Sequence, residues 1–120
     1  MSAPFKVEVE NDGHLHTVQV VGELDQGTAP QLRSVLSEAF ERGGSVLVDL
    51  TACEFIDSTG LSLMVEAKRT LDDDGGRAFG VCCPHRDVRR MLELTGIDKA
   101  VGLFDTRAEA LATLGAGSVS

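Results

Sequence analysis

SVLVDLTACEFIDSTGL, residues 45–61, is the stretch around which the rest of the chain is organised. Its first part, Ser45–Leu50, is apolar and β-branched at strand length, which predicts a largely buried strand. A short polar crossing leads into DSTG at residues 57–60, and the amphipathic run LSLMVEAKRTL follows at once. Asp, Ser and Thr cap helix starts by accepting hydrogen bonds from unpaired backbone N–H groups. The stretch therefore predicts a strand–loop–helix unit that presents a serine hydroxyl at or near a helix N-terminus, where ligands and modifications gather in α/β sheets.

The composition is that of one globular domain. The 120 residues are 42% hydrophobic and 25% charged, which suits a single domain with its own core. With 11 basic and 19 acidic residues, the formal net charge is −8. That sign disfavours nucleic-acid phosphates and anionic membranes and favours a partner with a basic patch. Few aromatic residues argue against a base-stacking platform. We therefore expect no direct nucleic-acid partner and no membrane partner.

Targeting signals are not expected either. The longest apolar run is far shorter than the roughly 20 residues that span a bilayer, and the N-terminal MSAPFKVEVE lacks the apolar core of a secretory signal. These features predict a cytoplasmic protein.

The expected domain covers residues 1–120, with a core at about 5–114 and a flexible tail at 115–120, because the residues of the tail are small and polar.

The cysteines and histidines do not form a metal-binding pattern. Cys53, Cys82 and Cys83 show no C-x-x-C or zinc spacing, and the three histidines are scattered. We expect buried, apolar cysteines, no metal and no cofactor. His14 and His16 flank a predicted hairpin turn and are expected at the surface. The acidic run at residues 72–74 lacks calcium-ligand spacing and is interpreted as a solvated turn.

The rest of the chain predicts alternating strands and helices. Phe5, Val7 and Val9 alternate with charged residues, and with a turn at 11–14 they predict a β-hairpin with Leu15–Leu24. Five further elements are predicted outside the central unit: a helix opened by a Thr28–Gln31 capping box and ended at Gly43-Gly44, a strand at 77–83, a helix after Pro84 that stops at Gly96, a strand at 101–104, and a helix capped at 106–109. This order predicts a single α/β domain in which right-handed crossovers join parallel strands, with one antiparallel addition at the start.

The central serine has several possible chemistries. A hydrolase elbow needs glycines on both sides of Ser58, and Ile56 occupies one of those places. No phosphate-binding loop is present, and an extra residue separates Asp57 from Gly60, which excludes the D-[ST]-G triplet of aspartic proteases. We therefore expect no catalytic residue. The plain alternative is a helix cap, worth about 1 kcal/mol, with no further role.

Five short segments then stand in a characteristic order: GELD at 22–25 with Thr28-Ala29, VDL at 48–50, FIDSTGL at 55–61, Val81-Cys82, and Val88–Arg90 running into LTGI at 94–97. Together they resemble the bacterial anti-sigma-factor antagonists of the STAS domain family. The resemblance covers roughly residues 7–114, and the first and third segments, taken in order, are its specific part.

The resemblance implies a fold and a mode of regulation. It implies a mixed sheet that starts with a hairpin, with helices packed mainly on one face. It implies that an anti-sigma factor, itself a protein-serine kinase, binds the unphosphorylated chain, frees a sigma factor and phosphorylates Ser58, after which the chain is released and a phosphatase resets it. Thr59 is a second possible acceptor. The implied partner-binding residues are Glu23, Leu24, Asp25, Asp57, Ser58, Thr59 and Gly60.

Phosphorylation at this position predicts a charge switch at an interface. The helix dipole should favour the phosphate by about 0.3–1 kcal/mol. The phosphate adds about −1.5 to −2 charges beside Asp57, with Glu54 nearby in sequence and Asp25 at another strand end.

Arg86, Arg89 and Arg90 form a basic patch, interpreted as a solvated face that offers pairs to an acidic partner or a nucleotide phosphate.

Two further hypotheses stay open. The chain is alternatively a STAS scaffold or regulatory subunit of a lipid- or anion-transport assembly, in which Ser58 only caps a helix. It is, as a third hypothesis, a small enzyme that uses Ser58, which the missing hydrolytic constellation disfavours.

Overall fold

A computed structural model describes residues 4–75, 77–82 and 84–116. Ten elements follow one another along the chain: β1 (Lys6–Asp12), β2 (Leu15–Leu24), α1 (Ala29–Arg42), β3 (Ser45–Ile56), α2 (Ser58–Asp73), β4 (Phe79–Cys82), α3 (Arg86–Leu94), α4 (Ile97–Ala100), β5 (Gly102–Phe104) and α5 (Arg107–Ala116). The sheet has the order β1-β2-β3-β4-β5. β1 is antiparallel to β2, and the other neighbours are parallel. The predicted mixed sheet with an N-terminal hairpin is confirmed.

The helices cover the two faces of the sheet unequally. Side chains of β3 alternate, so that Val46 and Val48 join the large core under α1, α2 and α3, while Leu47 points to the other face. There it packs in a smaller cluster with α5, through Ala110 and Leu114. The expectation that helices lie mainly on one face is therefore confirmed, with α5 as the exception.

The central strand is longer than the sequence predicted. The expected strand ended at Leu50, but β3 continues to Ile56, so the polar crossing belongs to the strand. Pairing with β2 explains this, because Leu24 lies opposite Ile56 and the register shifts twice along the way. Cys53 and Ile56 are buried despite their polar neighbours. Sheet pairing therefore overrides local polarity here and carries the chain to the carboxyl edge of the sheet.

Several element boundaries differ from the prediction. α2 runs through Asp73, so two of the three acidic residues are helical, and Asp72 pairs with Lys68 at 2.8 Å. The buried face of α2 includes Leu63 and Ala67 as well as Leu61, Met64 and Leu71. β4 starts at Phe79, and the short helix α4 was not predicted. α5 extends to Ala116, two residues into the predicted tail, and residues 117–120 lie outside the described residues.

The predicted helix caps have mixed outcomes. The capping box at Thr28 is wrong, because the Thr28 side chain makes no cap hydrogen bond to α1. At α5, the N–H of Glu109 donates to Thr106 Oγ1 at 3.1 Å as expected, whereas the Glu109 carboxylate accepts from Asp105 rather than from Thr106. Gly96 has φ +77° directly after α3, which confirms it as the stop of that helix.

His16 was predicted at the surface, and that prediction is wrong. Only 5% of the residue is exposed, and its strand β2 lies between β1 and β3. Nδ1 lies 2.6 Å from Asn11 Oδ1, and Nε2 donates to the carbonyl oxygen of Gly43 at 2.7 Å. His14, two residues earlier, is exposed as predicted.

Cys53 and Cys82 are buried and free, as predicted, and Cys83 lies outside the described residues. In the part of the chain that the structure describes, no cluster of His, Cys, Asp or Glu could hold a metal ion. Over the same residues, no helix has both the length and the apolar character needed to cross a bilayer.

Candidate functional site

The seven residues singled out from the sequence meet at the carboxyl ends of β2 and β3. Leu24 and Ile56, the last residues of these strands, are paired in the sheet. The loop from β2 to α1 and the start of α2 therefore lie side by side. Parallel strands bring their carboxyl ends to one edge, which is where α/β sheets place their sites.

Asp57 ties the two loops together. Its Oδ1 accepts hydrogen bonds from the N–H groups of Thr59, at 2.9 Å, and Gly60, at 3.1 Å, so it is the N-cap of α2. Its Oδ2 accepts from the N–H of Gln26 at 3.0 Å, and its own N–H donates to the carbonyl oxygen of Leu24 at 3.1 Å. The Asp57 side chain is thus engaged in holding the site in shape.

The β2–α1 loop is held by its own hydrogen bonds. Asp25 Oδ1 accepts from the N–H groups of Gly27, at 2.9 Å, and Thr28, at 3.1 Å. The Thr28 hydroxyl donates to the carbonyl oxygen of Glu23 at 2.8 Å and accepts from the N–H of Asp25 at 2.9 Å. Thr28 therefore fixes the loop instead of capping α1.

Ser58 is the first residue of α2 and is exposed, whereas Thr59 is half-buried. Among the described residues, the Ser58 hydroxyl has no hydrogen-bond partner, from a histidine or any other side chain. His14 and His16 are at the amino end of β2, and His85, the residue before α3, lines a depression with Glu54, Arg86 and Asp87. The arrangement presents a hydroxyl to an incoming molecule without a base to activate it.

Leu24 and Gly60 support this surface from below. The Leu24 side chain is fully buried. A Cβ at Gly60 would lie 2.8 Å from both Ile56 Cγ1 and Leu24 Cγ, so only glycine permits this approach of α2 to β2 and β3. Neither Leu24 nor Gly60 offers an exposed side chain to a partner. They would affect partner binding only by fixing the position of Ser58.

The charges around Ser58 are mostly negative. Asp25 and Asp57 lie in the two loops, Glu23 lies near the end of β2, and Glu54 lies near the end of β3. The Asp57 carboxylate already accepts the N–H groups of the second and third residues of α2. A phosphate on Ser58 would therefore find these donors occupied, and the favourable dipole term expected from the sequence is offset by a neighbouring carboxylate.

Cys53, close to the site in sequence, is not a nucleophile candidate. Burial raises the pKa of its thiol above the usual value, and the Sγ donates to the carbonyl oxygen of Phe55 at 3.3 Å. The protonated thiol is the unreactive form. Cys53 contributes to the core and not to the chemistry of the site.

Sequence reasoning missed two members of the site. Gln26 takes part through its backbone N–H, which almost every residue type has, so the sequence gives no sign of this role. Thr28 was noticed, but it was assigned to the wrong hydrogen bond. The only signal in the sequence was a threonine between a strand and a helix. A threonine at such a position can stabilise the loop or cap the helix, and the sequence does not distinguish the two roles.

Comparison with known proteins places the chain among regulatory proteins of one kind. The model of the STAS domain matches residues 6–110. The anti-sigma-F factor antagonist RsfB of Mycobacterium tuberculosis is 31% identical over 122 residues, which cover 99% of this chain and 98% of that protein. The anti-sigma F factor antagonist of Paenibacillus polymyxa is 28% identical over 112 residues, covering 92% and 95%.

A solved structure agrees with these sequence matches. The crystal structure of an anti-sigma factor antagonist from Mycobacterium paratuberculosis matches with a TM-score of 0.86 and 32% identity, over 96% of this chain and 99% of that one.

Proposed function

This chain belongs to the STAS domain family, and from that premise we propose that it is an anti-sigma-factor antagonist controlled by phosphorylation of Ser58. The unphosphorylated chain binds a cytoplasmic anti-sigma factor that is also a protein-serine kinase, and a sigma factor is freed. Phosphorylation of Ser58 by that kinase releases the chain, and a phosphatase resets it. The chain is a binding protein and a kinase substrate, with no catalysis of its own.

The observation that carries the proposal is the exposed hydroxyl of Ser58 at the first residue of α2. It stands on a surface held in shape by the hydrogen bonds of Asp57 and Thr28. The names of the relatives support the partner class, since each is an antagonist of an anti-sigma factor.

The switch acts through charge at the interface. A phosphate adds about −1.5 to −2 charges beside the Asp57 carboxylate, whose Oδ1 already accepts the nearby N–H groups. A partner surface that fits a neutral hydroxyl must then desolvate a dianion. A penalty of about 3 kcal/mol is enough to weaken binding more than 100-fold.

A change of fold is not required for this switch. Both loops are tied to backbone groups of β2 and α2 by side chains other than Ser58. Adding a charge to an exposed hydroxyl therefore leaves those bonds in place. This distinguishes an interface switch from one that orders or melts a segment.

The test begins with phosphorylation. The purified chain is incubated with Mg-ATP and, in turn, each serine-kinase anti-sigma factor encoded in the source genome, and the phosphate is mapped by mass spectrometry. We expect modification at Ser58, its loss in Ser58→Ala, and its retention in the matched control Thr59→Ala. Phosphate on Thr59 in the wild-type chain would contradict the assignment of the acceptor.

Binding to the same anti-sigma factor is then measured by calorimetry. We expect Ser58→Ala to bind as the unmodified chain does, and Ser58→Asp to bind more than 100-fold more weakly. Equal affinities for Ser58→Asp and wild type would sink the charge switch. A partner that binds and dissociates normally without any modification of Ser58 would favour the scaffold alternative.

A further inference from the structure

An apolar groove lies beside the Ser58 surface, between the carboxyl end of β3 and the helix α3. It has a volume of about 280 Å³ and is lined by the apolar residues Phe55, Ile56, Val88 and Met91 and by the charged residues Glu54, Asp87 and Arg90. We propose that this groove is a second contact for the anti-sigma factor, which inserts a large apolar side chain flanked by charged groups. The inference rests on the proposed function and adds the site that supplies affinity.

The side chains at the mouth of the groove are unusually exposed for their type. Phe55 is 49% exposed and Met91 38%. Leu94, one turn further along α3 on the same side as Met91, is 70% exposed. Three of the five large apolar side chains that are exposed in the described residues thus gather on this side of the molecule. Clustered exposure of this kind marks an interaction site, whereas single exposed apolar residues are ordinary.

The composition is also that of an interface core. Phe, Met and Arg are enriched at protein–protein interfaces, and the groove carries one of each, with Val88 and Ile56 buried beneath them. Among the described residues, neither Arg90 nor Asp87 has an ion pair. An apolar cleft beside charged side chains such as Arg90 and Asp87 can fix the orientation of a partner side chain.

The groove continues into the Ser58 surface. Ile56 lines the groove, is the last residue of β3, and directly precedes the capping residue Asp57. Phe55 stands three positions before Ser58. Because an extended chain spans at most about 3.6 Å per residue, their Cα atoms are no more than about 11 Å apart. A partner bound at Ser58 therefore has Phe55 within reach.

The net charge favours a different protein over a second copy as the occupant. Each chain carries a formal charge of −8, so two copies repel each other at low salt. An anti-sigma factor with a basic patch is attracted instead. The arrangement separates two tasks: the groove supplies affinity in every state, while Ser58 supplies the switch.

The test uses the anti-sigma factor that phosphorylates the chain. Phe55→Ser and Met91→Ser are compared with Leu111→Ser, which removes a leucine with the same 38% exposure as Met91 from α5 on the opposite face of the sheet. We expect about tenfold or greater weakening of binding for the two groove variants. In the kinase assay the KM should rise by a similar factor while kcat is unchanged, and Leu111→Ser should match wild type in both.

Each outcome decides the question. Equal affinities and KM values for all three variants and wild type would overturn the groove contact and leave the phosphorylation switch standing. A kinase that binds no form of the chain would remove the proposed function and the groove contact with it. A dimer in sedimentation that only the groove variants abolish would assign the groove to a second copy and refute the inference. Melting temperatures close to wild type exclude misfolding as the cause.

Discussion

The two ends of the β2–β3 pair are built with the same kind of hydrogen bond but leave different surfaces. At the amino end, His16 bonds the carbonyl oxygen of Gly43, and Arg77 donates to the carbonyl oxygens of Gly44 and Phe40. At the carboxyl end, the Asp57 carboxylate accepts from the backbone N–H of Gln26 in the neighbouring loop, and the Thr28 hydroxyl donates to the backbone carbonyl oxygen of Glu23.

The difference lies in what remains free. At the amino end His16 is buried. At the carboxyl end the Ser58 hydroxyl is exposed at the start of α2. Side-chain bonds to the backbone thus close one end of the sheet and hold a modifiable group in position at the other. We therefore expect substitutions at the amino end of these strands to change mainly the free energy of unfolding, and substitutions at the carboxyl end to change mainly partner binding.

The largest expected effect is on the free energy of unfolding, and it is tested by replacing one glycine at each end of the β2–β3 pair. A Cβ at Gly44, where φ is +90°, would lie 2.3 Å from the carbonyl oxygen of His14, whereas at Gly60 it would meet side-chain atoms at 2.8 Å. A backbone oxygen cannot move as a side chain can. We expect Gly44→Ala to lower the free energy of unfolding by about 3–5 kcal/mol and Gly60→Ala by about 1–3 kcal/mol. Urea unfolding measures both, and equal losses would break the comparison.

A second expected effect concerns the buried histidine. His16→Ala leaves the carbonyl oxygen of Gly43 without its donor, which should cost about 2–3 kcal/mol of unfolding free energy. His14→Ala, an exposed neighbour, is the matched control and should stay within about 0.5 kcal/mol of wild type. The shift of the urea midpoint checks this, and a His16 variant as stable as its control would show that the amino end does not depend on that bond.

The third prediction tests the cap at the carboxyl end. Asp57→Ala removes the acceptor of three N–H groups and should cost about 1–2 kcal/mol, while Asn caps nearly as well as Asp and should recover most of the loss. Thermal unfolding followed by circular dichroism distinguishes them. Equal losses for the two variants would mean that the negative charge, and not the cap geometry, is what α2 needs.

The smallest expected effect is the most telling for the switch. Ser58→Asp adds a charge at an exposed helix start, where the dipole and the Asp57 carboxylate act in opposite directions, so the unfolding free energy should change by less than about 0.5 kcal/mol. Ser58→Ala serves as the uncharged reference in the same urea titration. A loss above about 2 kcal/mol would show that the charge acts on the fold as well as on the interface.

Much of the fold could be predicted from the sequence because its signals are local. Strand alternation, the hairpin turn, Pro30 in the first turn of α1 and the Gly96 stop depend on neighbours within a few positions, and these features formed. The candidate site was found in the same way, from capping residues between an apolar strand and an amphipathic helix. The hairpin turn is shorter than predicted, because residues 11 and 12 pair in β1 and only residues 13 and 14 form the turn.

The errors share a physical cause. His16 was placed at the surface because its polar neighbours are local, while the Gly43 carbonyl that receives its hydrogen bond is 27 positions away. β3 was ended at Leu50 because its pairing with β2 cannot be read from residues 51–56. Thr28 was read as a cap because a threonine before a helix fits both that role and a loop brace.

The sequence by itself determined the order of the elements apart from α4, the family and the serine at the helix start, because periodicity and capping act between neighbours. Only the tertiary structure decided that Asp57 joins two loops across 31 positions, that Leu24 and Gly60 lie beneath the site, and that Phe55 and Met91 share a groove. Burial and pairing depend on which distant segments meet, and that is settled only when the sheet and its helices pack together.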